Sequence, residues 1–246
     1  MKYKHTQLFL YREKWILMSR GYIYVASFRK EYYNAAKISA ESLLEFYPDA
    51  QITLVTQAEW VEPTDIELFS TIITEDVPTD NRAKLWALSR TPYDVTMYID
   101  ADTYIQSEDI EHVFDFIGDN DIIFTRNRPY NSKITKLNDT EEMIYHCGIF
   151  VYRKNDTMKY LTDDWYKQYL IQITPEYDVS PYPEKVKPWD TFTMWWLLNK
   201  TAHKYSVKVG EFPAPDARWN FCMGQKPEEL DGQEIVITHY RMKHQH

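Results

Sequence analysis

The chain has 246 residues, 44% of them apolar and 16% aromatic, with a formal charge of −9. That size and composition suffice for one large or two small packed domains. The acidity argues against a general nucleic-acid binder, whose phosphate contacts need a basic surface, and leaves room only for a local basic groove. Apolar stretches such as Met194 to Leu198 fall far short of the roughly 20 residues that cross a bilayer, so no membrane span is expected.

Residues 1–20 read as an N-terminal arm, and 21–246 as one domain. Arg12, Glu13 and Lys14 interrupt the apolar pieces of the arm and no small-residue cleavage site follows, so no signal peptide is expected. Gly21 to Phe28 is rich in aromatic and β-branched residues and reads as the first strand. Ala36, Ile38, Leu43, Leu44 and Phe46 follow at near-helical spacing, with Pro48 just beyond. Ala50 to Gln57 is the second strand. A strand, helix, strand order favours an α/β sheet with right-handed crossovers.

After a looser stretch, Thr79 or Asp80 can cap a helix carrying Leu85, Trp86 and Leu88, which stops before Pro92. The next strand, Asp94 to Asp100, is apolar on both faces and is expected at the centre of the sheet. It ends in Asp100-Ala101-Asp102, at the edge where open α/β sheets hold their ligands. Side chains alternate along a strand, so these two carboxylates can reach one centre. Two acids so close repel one another unless a cation sits between them. Mg²⁺ or Mn²⁺ is the natural partner. The plainer alternative is that both aspartates cap the following helix, for which Ser107 is the better cap.

Other chemistries are excluded by what is missing. The six glycines form no GxG and no Walker loop, and the chain has no GxSxG, HExxH or DxDxDG pattern. Cys147 and Cys222 belong to no CxxC spacing and make no disulfide framework, which points to a reducing compartment, the cytoplasm.

At this point the sequence resembles a family. The stretch AKLWALSRTPYDVTMYIDADTYI, Ala83 to Ile105, looks like the lysine-bearing helix and Asp-x-Asp strand of GT-A glycosyltransferases, in particular the glycogenin and galactosyltransferase-like retaining group. Gly21 to Leu44 resembles the base-holding strand and helix, HCGIFVYRK the strand with an Asn-Ser/Ala-Gly turn, and PWDTFTMWWLLN the helix that opens with Asp-Gln. Trp219-Asn220 is similar to a late aromatic-Asn pair, and IVITHY to the strand that ends in a metal-binding histidine.

The resemblance implies a GT-A fold: a mixed, mostly parallel central sheet flanked by helices. It also implies transfer of a hexose from a nucleoside-diphosphate sugar, a UDP-hexose, to a hydroxyl of a glycan, protein or small molecule, with retention. It puts Asp100, Asp102 and His239 on Mn²⁺ or Mg²⁺, and Ala26, Ser27, Tyr33, Arg82, Lys84, Asp100, Ala101 and Asp102 on the donor. Asp190, His146 and Lys84 take the catalytic roles. By residue type alone, Lys84 could equally face solvent, Asp190 could simply cap its helix, and His239 could be a solvated tail histidine.

Several residues depart from the family pattern. His146 and Cys147 stand where the family has Asn and a small residue, and Thr191 where it has Gln. No glycine follows His239; Arg241 and Lys243 stand near the position of the family's diphosphate-gripping lysine. Most of the aromatic rings are expected in the core, because large aromatics dominate packing; Tyr182, Trp189 and Trp219 are the candidate sugar platforms. Two other functions fit the acid pair: a metal-dependent nucleotidyltransferase or phosphohydrolase, and a non-catalytic module that binds nucleotide sugars or glycans.

Overall fold

A computed structural model describes residues 18–128, 134–240 and 242. Most of the expected N-terminal arm, and Arg241 and Lys243, lie outside the described residues.

In chain order the first half gives β1 (Arg20–Ala26), α1 (Lys30–Phe46), β2 (Ile52–Thr56), β3 (Thr71–Ile73), α2 (Ala83–Leu88), β4 (Val95–Ile99), β5 (Thr103–Ile105) and β6 (Ile122–Arg126). The second half gives β7 (Tyr145–Arg153), α3 (Asp156–Gln172), α4 (Asp190–Lys200), β8 (Val209–Glu211), β9 (Phe221–Cys222) and β10 (Ile237–His239). Seven strands form one sheet in the order β3-β2-β1-β4-β7-β6-β8. Only β7 runs against its neighbours; the other pairings are parallel. A smaller sheet, β5-β10-β9, stands beside it.

Alternation along the strands sends side chains to two cores. Tyr22, Tyr24, Met97 and Ile99 join Ala36, Ala40 and Leu43 of α1 on one face. Ile23, Tyr98, Phe150 and Tyr152 join Leu85 and Leu88 of α2, Leu161 and Trp165 of α3, and Met194 and Leu197 of α4 on the other. Helices therefore cover both faces, as the mixed α/β reading requires. Every residue of β4 is buried, and it lies fourth of the seven strands, the central position that its two apolar faces predict.

Some boundaries differ from the sequence reading. The helix before β4 is only six residues long, and Asp80 serves its start by accepting the Arg82 N–H at 2.7 Å. Ser107 caps as expected, accepting from the Asp109 N–H, but the segment it opens, Glu108–Ile117, is a 3-10 helix. The 17 residues of α3 give no clean apolar stripe in sequence, because Met158, Leu161, Trp165 and Tyr169 are spread among charged residues; Asn155 opens this helix by accepting the Met158 N–H at 2.8 Å.

Buried hydroxyls tie α1 to the segment after β4. Ser39 Oγ lies 2.8 Å from Thr103 Oγ1, Thr103 Oγ1 donates to the Asp100 carbonyl at 3.0 Å, and the Ile105 N–H donates to Ser42 at 3.0 Å. Two serines on an otherwise apolar helix face thus hold the acidic turn in register with the sheet.

Candidate metal and donor site

The backbone leaves β4 at Ile99, so Asp100 and Asp102 occupy a turn rather than the strand itself. Their convergence has a different cause from strand alternation. The Asp100 N–H is still held by the Gly148 carbonyl of β7 at 2.8 Å, and the Asp102 carbonyl accepts the Tyr240 N–H at 2.8 Å. Between them Ala101 packs into the core, 5% exposed, so both carboxylates face the opposite way, half-buried. Ala101 acts as an anchor for the turn.

His239 ends β10, paired with Thr103 across β5. Its Nε2 lies 3.4 Å from Asp102 Oδ1 and 3.9 Å from Asp100 Oδ2. One donor atom from each of Asp100, Asp102 and His239 falls within 4.8 Å of the others. Nδ1 of His239 is 2.9 Å from Asn220 Oδ1, which leaves Nε2 toward the carboxylates. Two carboxylate oxygens and one imidazole nitrogen fit a divalent ion, and this mixed set suits Mn²⁺ better than Mg²⁺. Burial lowers the pKa of His239, but its hydrogen bond to Asp102 and the nearby carboxylate charges outweigh that and raise it.

Lys84 does not face solvent. It is 9% exposed, with Nζ 2.8 Å from Asp190 Oδ2, 2.8 Å from the Cys147 carbonyl and 3.4 Å from Asp100 Oδ1. Burial opposes its charge, yet Asp100 and Asp190 more than compensate and its pKa rises. Arg82 Nε lies 3.0 Å from Asp190 Oδ1. Asp190 stands one residue after Trp189, the N-cap of α4, and its carboxylate faces both cations. Tyr98 donates to Asp100 Oδ1 at 2.6 Å and stacks on Phe150.

His146 is buried, and its Nδ1 lies 3.1 Å from the Gly148 nitrogen and 2.9 Å from Asn220 Nδ2. Burial first, then the charges of His239 and Lys84, push its pKa down to about 3. Cys147 and Thr191, two further departures from the family pattern, meet through a hydrogen bond, and burial pushes the thiol pKa up.

The residues expected to hold the base divide. Ala26 ends β1 and Ser27 follows it; because β1 and β4 are parallel, both leave the sheet at the edge that carries Asp100. Ser27 Oγ donates to the Pro78 carbonyl at 2.7 Å. Tyr33 is a correction: its side chain is fully buried and its hydroxyl donates to Asp65 at 2.5 Å, so its ring is core. The adjacent Tyr32 is half-buried and feels the charge of Asp102, Asp100, Arg29 and Arg82. One helical position of about 100° separates core from site here. Trp219 is also core, buried against Phe116 and Phe212, and cannot serve as a platform. Tyr182 and Trp189 remain half-buried.

Residue types gave no role to Gly148 or Asn220. A Cβ on Gly148 would stand 2.4 Å from Asp100 Oδ2 and 2.5 Å from His146 Cε1, so glycine lets β7 pass the site without displacing either side chain. The available signal was its place in the HCG turn; its close contacts are tertiary.

No family model matches the chain, and no curated protein matches it. Solved structures do. The galactosyltransferase LgtC, in complex with donor and acceptor sugar analogues, is similar at a TM-score of 0.52 and 15% identity, over 90% of this chain and 87% of that one. The apo form of the glycosyltransferase GlyE from Streptococcus pneumoniae gives 0.57 and 15%, over 92% and 55%. The bifunctional glycosyltransferase WbbM gives 0.55 and 13%, over 92% and 46%. The chain thus spans most of LgtC and about half of GlyE and WbbM. At these identities the likeness establishes the fold, that of GT-A glycosyltransferases.

Proposed function

We propose that this protein is a metal-dependent glycosyltransferase that moves a hexose from a UDP-sugar to an acceptor hydroxyl with retention, in the manner of the glycogenin and galactosyltransferase-like group. The observation that carries the reading is the gathering of Asp100, Asp102 and His239 within 4.8 Å at the exit of the central strand. The shared fold adds support: LgtC binds donor and acceptor sugar analogues on a similar scaffold. Cys147 and Cys222 are both buried and belong to no CxxC spacing, which accords with a reducing compartment, and we assign the reaction to the cytoplasm.

Asp100, Asp102 and His239 would hold Mn²⁺, or Mg²⁺. When bound, such an ion supplies positive charge to the diphosphate as the anomeric bond breaks, a contribution of several kcal/mol. Lys84 adds a second positive charge from the opposite side of Asp100, already desolvated and fixed by Asp190 and the Cys147 carbonyl. Preorganised charge of this kind needs no rearrangement as the leaving group develops its own. Asp190 holds Arg82 and Lys84 in place and offers negative charge near the cationic sugar. His146, neutral and buried, gives the sugar side of the site a polar contact without charge. Ala26, Ser27 and Tyr32 form the wall for the base.

Incubation with a panel of UDP- and GDP-sugars, with Mn²⁺ or EDTA, tests the reading through released nucleoside diphosphate. Metal-dependent release from one donor is the expected result and identifies the sugar. Binding of UDP and Mn²⁺ without release, with or without acceptors, would instead make the chain a non-catalytic module; turnover of a nucleoside triphosphate would make it a nucleotidyltransferase or phosphohydrolase.

A further inference from the structure

Asn220 is completely buried between two imidazoles. The proton positions on both rings follow from one peptide group. The Gly148 N–H donates to His146 Nδ1 at 3.1 Å, and a peptide N–H can only donate. His146 Nδ1 therefore carries a lone pair, and the proton of the neutral ring sits on Nε2. The Asn220 side-chain atom 2.9 Å from that lone pair must then be the NH₂, since an oxygen there would set lone pair against lone pair. The same NH₂ donates to Thr125 Oγ1 at 3.1 Å, which uses its second hydrogen. The amide oxygen is left 2.9 Å from His239 Nδ1, so that nitrogen is the donor and Nε2 meets the carboxylates.

The geometry points to Asn220 as a positioning residue that, with the Gly148 N–H, fixes the tautomer of His146 and by its amide oxygen fixes that of His239, presenting His239 Nε2 to the metal and leaving His146 an Nε2–H donor whose one lone pair, on Nδ1, is already engaged. The His239 half rests on the metal reading above; the His146 half does not. For the substrate, the consequence is an oxygen acceptor opposite His146, such as a sugar hydroxyl or ring oxygen. A base abstracting the acceptor's proton has to be some other group.

Long-range ¹H–¹⁵N correlation of uniformly labelled, metal-free protein reads the tautomer directly. The expected wild-type pattern for His146 is Nε2–H; an Nδ1–H pattern overturns the proposal. Asn220→Asp keeps an acceptor for His239 but puts a carboxylate oxygen opposite His146 Nδ1. It should move His146 off the Nε2–H pattern while Mn²⁺ affinity by calorimetry stays within about threefold of wild type. Asn220→Leu, near in volume, lacks the acceptor and should lose ~10–100-fold in Mn²⁺ affinity, the usual cost of a lost outer-shell partner. Equal Mn²⁺ affinity in wild type and Asn220→Leu overturns the His239 half. A wild type that takes up no Mn²⁺ overturns the metal reading itself, while the His146 spectrum still decides the other half.

Discussion

Two acidic groups share Lys84 and differ in how their charge is answered. Asp190 faces two cations, Arg82 at 3.0 Å and Lys84 at 2.8 Å. Burial by itself would raise its pKa, but Arg82 and then Lys84 overcome that and hold the carboxyl well below the usual range. Asp100 and Asp102 place two carboxylates beside that same lysine, 3.4 Å from Asp100, and one imidazole. The first group is closed, with its charge neutralised from within the fold. The second is short of positive charge and half-open to solvent, which is the condition for recruiting an ion. Both would read as "aspartate near lysine" in a contact list. The balance of charge, rather than the presence of an ion pair, separates the closed group from the open one.

Breaking the closed group should cost the most. Asp190→Asn takes the carboxylate from half-buried Arg82 and leaves buried Lys84 with only its longer carboxylate contact, to Asp100, and loss of one partner of a buried ion pair costs ~3–5 kcal/mol. Urea unfolding at neutral pH measures it; a loss under about 1 kcal/mol would mean the group is more hydrated than its burial implies. In the open group, Asp100→Asn or Asp102→Asn should leave folding nearly intact but reduce metal-dependent donor turnover by about a hundredfold or more. Full activity in either variant would remove the carboxylates from the mechanism.

Gly148→Ala probes the boundary between the two. Its methyl would collide with Asp100 Oδ2 and His146 Cε1, so those side chains must move. Overpacking of this kind costs ~1–3 kcal/mol in stability. Mn²⁺ affinity should fall by about tenfold, comparable to losing an outer-shell partner. Calorimetry that shows unchanged affinity would mean the pair can relax without cost.

The smallest effect is a pH dependence of opposite sign with and without metal. In the metal-free protein His239 has its pKa raised above 6.5: burial lowers it, and Asp102 more than compensates. Asp102 lies below 3.8, burial again outweighed by the hydrogen bond and charge of His239. The histidine therefore contributes stability below pH 6.5 and loses it as pH climbs through its folded pKa; the aspartate contributes above pH 3.8 and loses it as pH falls. An ion takes the place of the proton on Nε2, so the Mn²⁺-induced rise in Tm should grow from about pH 5.5 to about pH 8. A shift that stays constant over that range would mean His239 is not a ligand.

Much of the fold is legible because its signals are local. The strand, helix, strand opening and the doubly apolar β4 depend on residue type and period, and the sheet places them as that pattern requires. The turn Asp100-Ala101-Asp102 is legible for the same reason, since a buried strand that ends in acids is unusual within a few residues of sequence. Tyr33 and Tyr32 show the limit. Both are tyrosines on one helix, and only the facing of α1 against the sheet, with Asp65 behind Tyr33, sends one into the core and leaves the other toward the carboxylates. Trp219 is lost as a platform in the same way, because Phe116 and Phe212 reach it from elsewhere in the chain.

The sequence by itself determined the class of fold and the acidic turn, because periodicity and residue chemistry act over short distances; His239 was joined to the turn only through the family resemblance. The tertiary structure decided what each charge meets. Lys84 touches residues 16, 63 and 106 positions away, and Asn220 links histidines 74 positions before it and 19 after. Electrostatic balance and hydrogen-bond direction depend on ångström separations between such distant segments, and only the folded sheet edge sets those.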